Sequence, residues 1–249
     1  MTILNETPET YKEFPGKYLK TMPKLRAEGR IPANVSQFMQ IRLNFRNGPE
    51  TIKNAWLNNY DTCDAVIYHP ETQNILIDLD SEMLIKISPN PKKLYNGALL
   101  LSENRDEAFA IYEQLKKQPN VVELKNTRIK RTIDFNSKKE VKANPLWRIL
   151  SRDQALLNDY TDFIYDESEK KYGCETPMSI ILGSCKGTTP EMRAWYLGRL
   201  SNESYVNGAD DLDDGGSHLM GILPETINNI LNTRKYSLQE ILDSRFYLR

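Results

Sequence analysis

The stretch "DAVIYHPETQNILIDLD", residues 64–80, decides the fold class that the sequence predicts. Two apolar, β-branched runs flank a turn-forming Pro-Glu-Thr-Gln-Asn segment, and this arrangement predicts a β-hairpin. The chain before it has helical spacing, which predicts two helices over 17–29 and 34–45, with Asn34 as the N-cap of the second. A chain that begins with helices, continues with a hairpin and then mixes both elements indicates an α+β fold.

Further elements are predicted along the rest of the chain. They are strands over 97–102, 178–184 and 218–223, an extended segment over 121–135, and helices over 49–60, 105–118, 145–172 and 190–200, from 224 onward, and over 237–249. The long helix at 145–172 has the most complete signals, because Asn144 can cap it, Pro145 fits its first turn and Gly173 can follow its end. Residues 1–16 are expected to be irregular. The predicted architecture is a helical N-terminal portion followed by a mixed or antiparallel sheet with packed helices.

The composition is that of an ordinary soluble globular protein. Of the 249 residues, 39% are apolar and 27% charged, and the formal net charge is −1. No apolar run approaches the roughly 20 residues that cross a bilayer. The N-terminus lacks a signal-peptide core, so we expect a cytoplasmic protein with no membrane partner. We divide the chain into portions 1–60, 61–140 and 141–249, which could form one continuous body because no Gly/Ser linker separates them.

The loop after the strand at 178–184 has the residues of an anion site. Its candidate ligand-binding residues are Gly183, Ser184, Lys186, Gly187 and Thr188. A glycine-containing loop between a strand and a helix N-terminus exposes backbone N–H groups, and lysine and hydroxyl side chains add donors. The spacing departs from that of the P-loop. The alternative is a capped turn, in which Thr188 and Glu191 form a capping box and Pro190 occupies the first helical turn.

Two residues are candidates for catalytic chemistry. Cys185 lies in the same loop, where Lys186 and a helix N-terminus could lower the pKa of its thiol. Asp153 falls within the apolar stripe of the helix predicted at 145–172, and a buried carboxylate needs a partner. We expect Asp153 to pair with Arg199 across a contact between two helices, or to cap a nearby loop. The sequence does not decide whether such a pair of Asp153 and Arg199 would be structural or catalytic.

Acidic residues indicate possible cation or phosphotransfer chemistry at two places. The candidate ligands for Ca²⁺ or Mg²⁺ are Asp210, Asp211, Asp213 and Asp214, although the EF-hand spacing fails and a solvated acidic loop is the alternative. Asp78 and Asp80 form an Asp-x-Asp sequence that resembles the first motif of haloacid-dehalogenase-like phosphotransferases. The resemblance implies a nucleophilic Asp78 and an acid–base Asp80, but Glu82 departs from the family pattern. Asp78 and Asp80 also alternate with apolar residues, as residues on the solvent-exposed face of a strand do.

Basic residues are concentrated in two segments. Residues 125–142 hold seven basic and two acidic residues, and residues 12–30 hold six and two. The candidate nucleic-acid-binding residues are Lys125, Arg128, Lys130, Arg131, Lys138 and Lys139. The turn between the two N-terminal helices is loosely similar to a helix-turn-helix, and a basic strip beside it could bind a nucleic-acid backbone. The alternative is a set of ordinary solvated lysines.

These motifs favour one interpretation of function and leave a second open. The favoured one is a binding or regulatory protein that acts on nucleic acid or a protein partner through basic segments. The alternative is an enzyme or binder for a phosphate-bearing small molecule, with its anion loop at 183–189. No complete catalytic motif is present, so the sequence does not decide whether the chain is an enzyme, and it indicates no cofactor.

Overall fold

The structure, a computed structural model, describes residues 10–44, 58–72, 74–89, 94–125, 132–173, 176–199 and 204–226. The strands are β1 Tyr11–Pro15, β2 Ile31–Pro32, β3 Tyr60–Tyr68, β4 Ile75–Asp78, β5 Leu94–Tyr95, β6 Ala98–Leu100, β7 Val121–Leu124, β8 Thr132–Asp134, β9 Met178–Ile181, β10 Glu191–Leu197, β11 Ser204–Asn207 and β12 His218–Ile222. The helices are α1 Tyr18–Ala27, α2 Val35–Asn44, α3 Glu82–Ile85, α4 Arg105–Leu115, α5 Lys138–Ala143, α6 Pro145–Ser151 and α7 Gln154–Tyr172. The predicted helix at 237–249 and most of the one at 49–60 lie outside the described residues.

One sheet contains twelve strands of the described chain and is organised around the antiparallel β3–β10 pair. That pair runs from Tyr60↔Leu197 to Tyr68↔Glu191. On its other edge, β3 pairs first with β12 and then with β4. Strand β10 likewise pairs with β6 at its start and with β11 at its end. Along its outer edge, each of the two central strands therefore pairs with one strand over one half and with another strand over the other half. We call the point where the two outer strands diverge the fork of that central strand.

The α+β class is confirmed, and so are several of its predicted elements. Strands β3 and β4 form the predicted hairpin, with register from Ala65↔Asp78 to Tyr68↔Ile75. Asn34 caps α2, since its side chain accepts a hydrogen bond from the N–H of Gln37 at 2.8 Å. The N-terminal portion was predicted to be helical, but it also contains the strands β1 and β2 beside the helices α1 and α2. Strand β1 pairs with β12, so the expectation of an irregular lead-in is wrong for these residues.

Side chains alternate between the two faces of the sheet, and each face has its own core. Val66 and Tyr68 of β3 pack in a cluster with α2, α5, α6 and α7. Ala65 and Ile67 of the same strand pack in a second cluster with α1, α3 and α4. This period of two is the ordinary geometry of a strand. None of the helices in the described ranges has the length and apolar character needed to cross a membrane.

The resemblance of α1 and α2 to a helix-turn-helix is wrong. The connection between them is β2, a strand that pairs with β12 through Pro32 and Ile31. The apolar residues of α1 belong to the core on one face of the sheet, and those of α2 belong to the core on the other face. Because the sheet separates them, the two helices cannot present a joint surface to a DNA groove.

The helix predicted over 145–172 is two helices, α6 and α7. Asn144 caps α6, and Pro145 occupies its first turn, as predicted. The chain then breaks at Arg152, whose φ of 59° is left-handed. Asp153 starts the second helix by accepting hydrogen bonds from the N–H groups of Ala155 and Leu156. The sequence did not reveal this break, because its cause is a distant contact of Arg152.

The helix predicted over 190–200 is wrong, because residues 191–197 form the central strand β10. All seven residues of β10 are buried. A strand covered on both faces need not alternate polar and apolar residues, and in β10 the alternation at Glu191 and Arg193 gives way to the apolar run 194–197. The apparent capping box of Thr188 and Glu191 is absent, since Glu191 instead accepts hydrogen bonds from the loop that precedes it.

Candidate binding surface

Three loops meet at the fork of β10, and we call their exposed side the loop surface. It comprises the β5–β6 turn (95–97), the loop between β9 and β10 (183–189) and the loop between β11 and β12 (208–217). The turn residues Asn96 and Gly97 both have positive φ, at 48° and 75°, as a two-residue hairpin turn requires. A Cβ on Gly97 would lie 2.2 Å from Cγ of Asp211, so glycine is needed where the first and third loops meet.

Arg193 of β10 fixes two of these loops from beneath. Its side chain is buried, and Nη1 donates to the carbonyls of Ala209 at 3.2 Å and Asp210 at 2.9 Å and to the carboxylate of Asp211. Nη2 donates to the carbonyl of Asn96 at 2.8 Å. A planar guanidinium with several donors in fixed directions suits this task of holding separate backbone segments.

Tyr68 at the end of β3 fixes the third loop against the second. Its hydroxyl donates to the carbonyl of Gly208 at 2.9 Å and accepts from the N–H of Gly183, also at 2.9 Å. Burial raises the pKa of Tyr68, so the phenol keeps its proton. Gly183 is packed so closely that an added Cβ would lie 3.2 Å from Cα of Ala209.

Glu191 occupies the anion-binding position of the 183–189 loop. Its buried carboxylate accepts hydrogen bonds from the N–H of Lys186 at 3.1 Å and of Gly187 at 2.6 Å. The loop does hold an anion, but the anion is a side chain of the chain itself. A phosphate would have to displace a buried carboxylate, which would then lose its partners.

Cys185 is a hydrogen-bonded thiol. Its Sγ donates to the carbonyl of Thr189 at 3.0 Å. Burial, together with the charge of Glu191, raises the pKa of Cys185 to about 11. The expected lowering of this pKa is wrong, because the helix N-terminus on which it depended does not exist. A protonated thiol is a poor nucleophile.

The acidic loop does not assemble the predicted cation site. Asp211 binds Arg193, and Asp214 accepts from the N–H of Gly216 at 3.1 Å. Burial raises the pKa of Asp210, and its acidic neighbours raise it further. Within the described ranges, three or more possible ligand atoms lie within 4.8 Å of one another only at Cys63, Asp64 and Asp80. The carboxylates at 210–214 are therefore too dispersed to fit the predicted Ca²⁺ or Mg²⁺.

The Cys63–Asp64–Asp80 group lies at the fork of β3, where Arg152 supplies the positive charge. Arg152 donates to the buried carboxylate of Asp64 and, at 2.8 Å, to the exposed carboxylate of Asp80. Asp64 also accepts from the N–H of Val35 at 3.0 Å. Burial raises the pKa of Cys63, so its thiol is protonated and unsuited to bind a metal. We interpret the group as a structural ion-pair cluster.

The other predicted acidic sites are also engaged by the protein. Asn120 donates to Asp78 at 2.8 Å, and burial raises the pKa of Asp78 to about 6. Asp153 caps α7 and does not pair with Arg199, whose N–H donates to Asn59 at 2.8 Å. The predicted pair is wrong, and Asp153 caps the start of a helix where the sequence suggested the cap of a loop.

The basic strip is partly neutralised where the structure describes it. Lys138 donates to Asp166 at 2.6 Å, and Lys142 donates to Asp162 at 2.8 Å, both acids being on α7. Lys125 and Lys139 are exposed. Arg128, Lys130 and Arg131 lie outside the described residues.

A forked sheet with helices on both faces has a counterpart among solved structures. It is a chain from Nanoarchaeota, whose report describes the accommodation of massive sequence variation by the C-type lectin fold. The two agree with a TM-score of 0.58 at 13% identity, over 89% of this chain and 100% of that chain. This chain has the C-type lectin fold. No family profile and no curated protein matches the sequence.

The C-type lectin fold overturns the function predicted from the sequence. Nucleic-acid binding through basic segments, and binding of a phosphate-bearing small molecule, are both wrong. The local geometry gives the physical reasons, because Glu191 occupies the anion loop and α7 neutralises Lys138 and Lys142.

Sequence reasoning missed the three residues that organise the loop surface, namely Tyr68, Glu191 and Arg193. The roles of Tyr68 and Arg193 depend on partners far away in the chain, which no local pattern reveals. Glu191 contacts the nearby Lys186 and Gly187, but the helix predicted over 190–200 hid that role. The β5–β6 hairpin, by contrast, does have a local signal in the sequence. The sequence Asn96-Gly97 between two apolar pairs is the commonest sign of a tight hairpin.

Proposed function

We propose that the chain is a binding protein that recognises a polyhydroxylated ligand, such as a glycan, with the loop surface. One observation carries the proposal: Tyr68, Glu191 and Arg193 fix three loops from beneath. Outward-facing side chains are thus available to a ligand. Binding residues on loops held by a rigid scaffold are a common arrangement. The Nanoarchaeota chain is described as accommodating sequence variation, and a separation of buried anchoring residues from exposed loop side chains would permit such variation.

The exposed side chains of the loop surface suit a ligand rich in hydroxyl groups. They include Tyr95, Asn96, Ser184, Lys186, Thr188 and Asp213. Amide, hydroxyl and carboxylate groups supply both donors and acceptors to a sugar hydroxyl. Tyr95 is 44% exposed and is one of two large apolar residues among the described ones that stand out from the surface. Its ring lies beside the 183–189 loop, 3.4 Å from the position that a Cβ of Gly187 would take.

The test is a glycan array followed by calorimetry on the glycans that bind. Tyr95→Ala should weaken binding about tenfold or more, which corresponds to about 1.4 kcal/mol. Asp213→Asn should also weaken it, whereas Lys20→Ala, on the α1 face of the sheet, should not. Absence of binding to every glycan, or unchanged affinity in both loop variants, would contradict the proposal.

A further inference from the structure

The second half of the 208–217 loop is held mainly at its ends. Residues 213–216 are exposed, whereas Leu212 and Ser217 on either side of them are buried. An added Cβ on Gly215 would meet no atom within 4 Å, and one on Gly216 would meet only the carboxylate of Asp214. A segment with so few packing contacts can open while the rest of the protein stays folded. Its closure therefore depends on the two buried residues that flank it.

The Leu212 end is held by contacts that contain no group titrating near neutral pH. Leu212 belongs to the core on the α1 face of the sheet, and its N–H donates to the carbonyl of Gly97 at 2.9 Å. Just before it, Arg193 binds the carbonyl of Asp210 at 2.9 Å. A guanidinium keeps its charge in proteins, and apolar packing has no charge to lose.

The Ser217 end is held by a buried acid. The hydroxyl of Ser217 donates to the carboxylate of Asp61 at the start of β3, and its carbonyl accepts from the N–H of Gly16 at 3.0 Å. Asp61 is only 4% exposed. Burial raises the pKa of Asp61 to about 7, although the hydrogen bond from Ser217 opposes the rise. This end of the loop therefore contains a group whose charge changes near neutral pH.

Two carboxylates of the same loop lie close enough to Asp61 to affect its charge. The negative charges of Asp210 and Asp214 raise the pKa of Asp61 further. Of the cations in this region, Arg193 is bound by the first half of the loop, and Lys17, at the start of α1, is exposed to water. Ionisation of Asp61 therefore adds a buried negative charge beside two other carboxylates, and like charges repel.

From the neighbouring elements, two phenols face Asp61. They belong to Tyr196, its cross-strand partner in β10, and to Tyr18 of α1. Burial raises the pKa of both phenols, so both are neutral near pH 7 and offer no charge to compensate Asp61. His218 follows Ser217 but packs its ring against Tyr60, with 6.0 Å between the ring centroids. Within this cluster, Asp61 is the group that titrates near neutral pH.

We propose that the contact between Asp61 and Ser217 is a pH-sensitive anchor for residues 213–217: the protonated carboxyl holds this end of the loop closed, and its ionisation favours opening. An ionised Asp61 is a buried charge without a counter-ion, and release of Ser217 lets water reach it. Opening also moves Asp213, a residue of the loop surface. The anchor does not depend on the proposed glycan binding.

The sign of the effect follows from the two states of the loop. The closed loop holds Asp61 at a pKa of about 7, whereas in the open loop the carboxyl returns towards its ordinary value of 3.8. The extra stability of the closed loop is fully present below about pH 4 and is lost as the pH passes about 7. Above that pH, Asp61 is ionised in both states and opening no longer depends on its proton.

Hydrogen exchange of the whole chain, followed by mass spectrometry from about pH 5 to about pH 8, tests the anchor. The protection factor of residues 213–217, which removes the intrinsic effect of pH on exchange, should fall at least about tenfold between about pH 5 and about pH 7. It should then level off. At every pH these residues should exchange faster than β10, because the loop opens while the sheet stays folded.

Two variants separate Asp61 from other buried acids. Asp61→Asn still offers Ser217 an acceptor but cannot ionise, so the protection factor at 213–217 should no longer depend on pH. Asp78→Asn is the matched control, because burial also raises the pKa of Asp78, to about 6, but its partner is Asn120. It should leave the fall at 213–217 as it is in the parent chain. Circular dichroism confirms that each variant is folded.

Three results would overturn the proposal. The fall at 213–217 in the parent chain could be less than about tenfold, which requires no variant to detect. The same fall could persist in folded Asp61→Asn. Residues 213–217 could also exchange no faster than β10, which would mean that the loop opens only when the whole protein unfolds.

Discussion

At the scale of single residues, Asp61 lies in an unusual environment for an acid. It lies at the start of β3, its side chain is almost fully buried, and Ser217 donates a hydrogen bond to it. Burial raises the pKa of Asp61 from 3.8 to about 7, and the nearby charges of Asp210 and Asp214 add to the rise. Tyr196 of β10 also lies close to it. The folded state thus binds a proton that the unfolded chain releases at lower pH.

A raised carboxyl pKa in the folded state makes stability fall as the pH rises. The contribution of Asp61 is fully present below the unfolded pKa near 4 and is lost as the pH passes about 7. Between about pH 5 and about pH 8 the free energy of unfolding should fall by about 2–3 kcal/mol from this group. Asp61→Asn, which imitates the protonated acid, should remove most of that fall in urea titrations at the two pH values.

The matched control for Asp61 is Asp213→Asn, an exposed acid on the neighbouring loop. It should leave the pH dependence as it is in the parent chain. Some pH dependence should persist in Asp61→Asn, because burial also raises the pKa of Asp78 to about 6. A pH dependence equal to that of the parent would show that Asp61 is ionised in the folded protein at neutral pH.

At the scale of elements, Arg152 explains why α6 and α7 are separate helices. A left-handed residue at φ 59° is costly for arginine, so the surrounding contacts must compensate for it. Those contacts are the buried Asp64 and the exposed Asp80 at the fork of β3. The break in the helix thus brings one cation to a carboxylate that would otherwise be buried alone.

Removing this cation should destabilise the protein far more than removing its exposed partner. Arg152→Met leaves Asp64 buried without a counter-ion, and we expect a loss of about 3–5 kcal/mol. Asp80→Asn should cost under about 1 kcal/mol, since Asp80 is exposed and asparagine tolerates its left-handed φ. Urea unfolding of both variants and of Arg152→Met/Asp64→Asn gives the comparison. The double variant should recover part of the loss; equal costs for the two single variants would contradict this assignment.

Elements with local causes could be predicted from the sequence, and elements with distant causes could not. The β3–β4 hairpin and the Asn34 and Asn144 caps were predictable, because turns and helix caps depend on residues that are close together in the sequence. Strand β10 was not, because burial on both faces leaves alternation only at Glu191 and Arg193, too short a pattern to indicate a strand. The loop at 183–189 was identified as an anion cradle, but the carboxylate that fills it could not be identified while Glu191 was assigned to a helix.

At the scale of the whole molecule, the loop surface combines internal anchors with exposed side chains. Apart from the ion pair of Arg193 with Asp211, the residues Arg193, Glu191 and Tyr68 hold the loops through backbone atoms, so most of their contacts do not depend on which side chains the loops expose. Exposed positions contribute little to the stability of most proteins, and buried charged groups contribute much. This division is what a scaffold for a variable binding surface requires.

The last prediction tests that division directly. Replacing Tyr95, Ser184, Thr188 and Asp213 together with alanine should change the free energy of unfolding by no more than about 2 kcal/mol. Arg193→Ala should cost about 3–5 kcal/mol, because it leaves a cavity and strands the partners of a buried guanidinium. For a chain of this size that corresponds to a melting temperature lower by about 10 °C. Arg26→Ala, an exposed arginine of α1, controls for the loss of charge and should have little effect. If the fourfold loop variant lost as much stability as Arg193→Ala, the exposed side chains would be part of the folded core, and the loops could not vary independently of the scaffold.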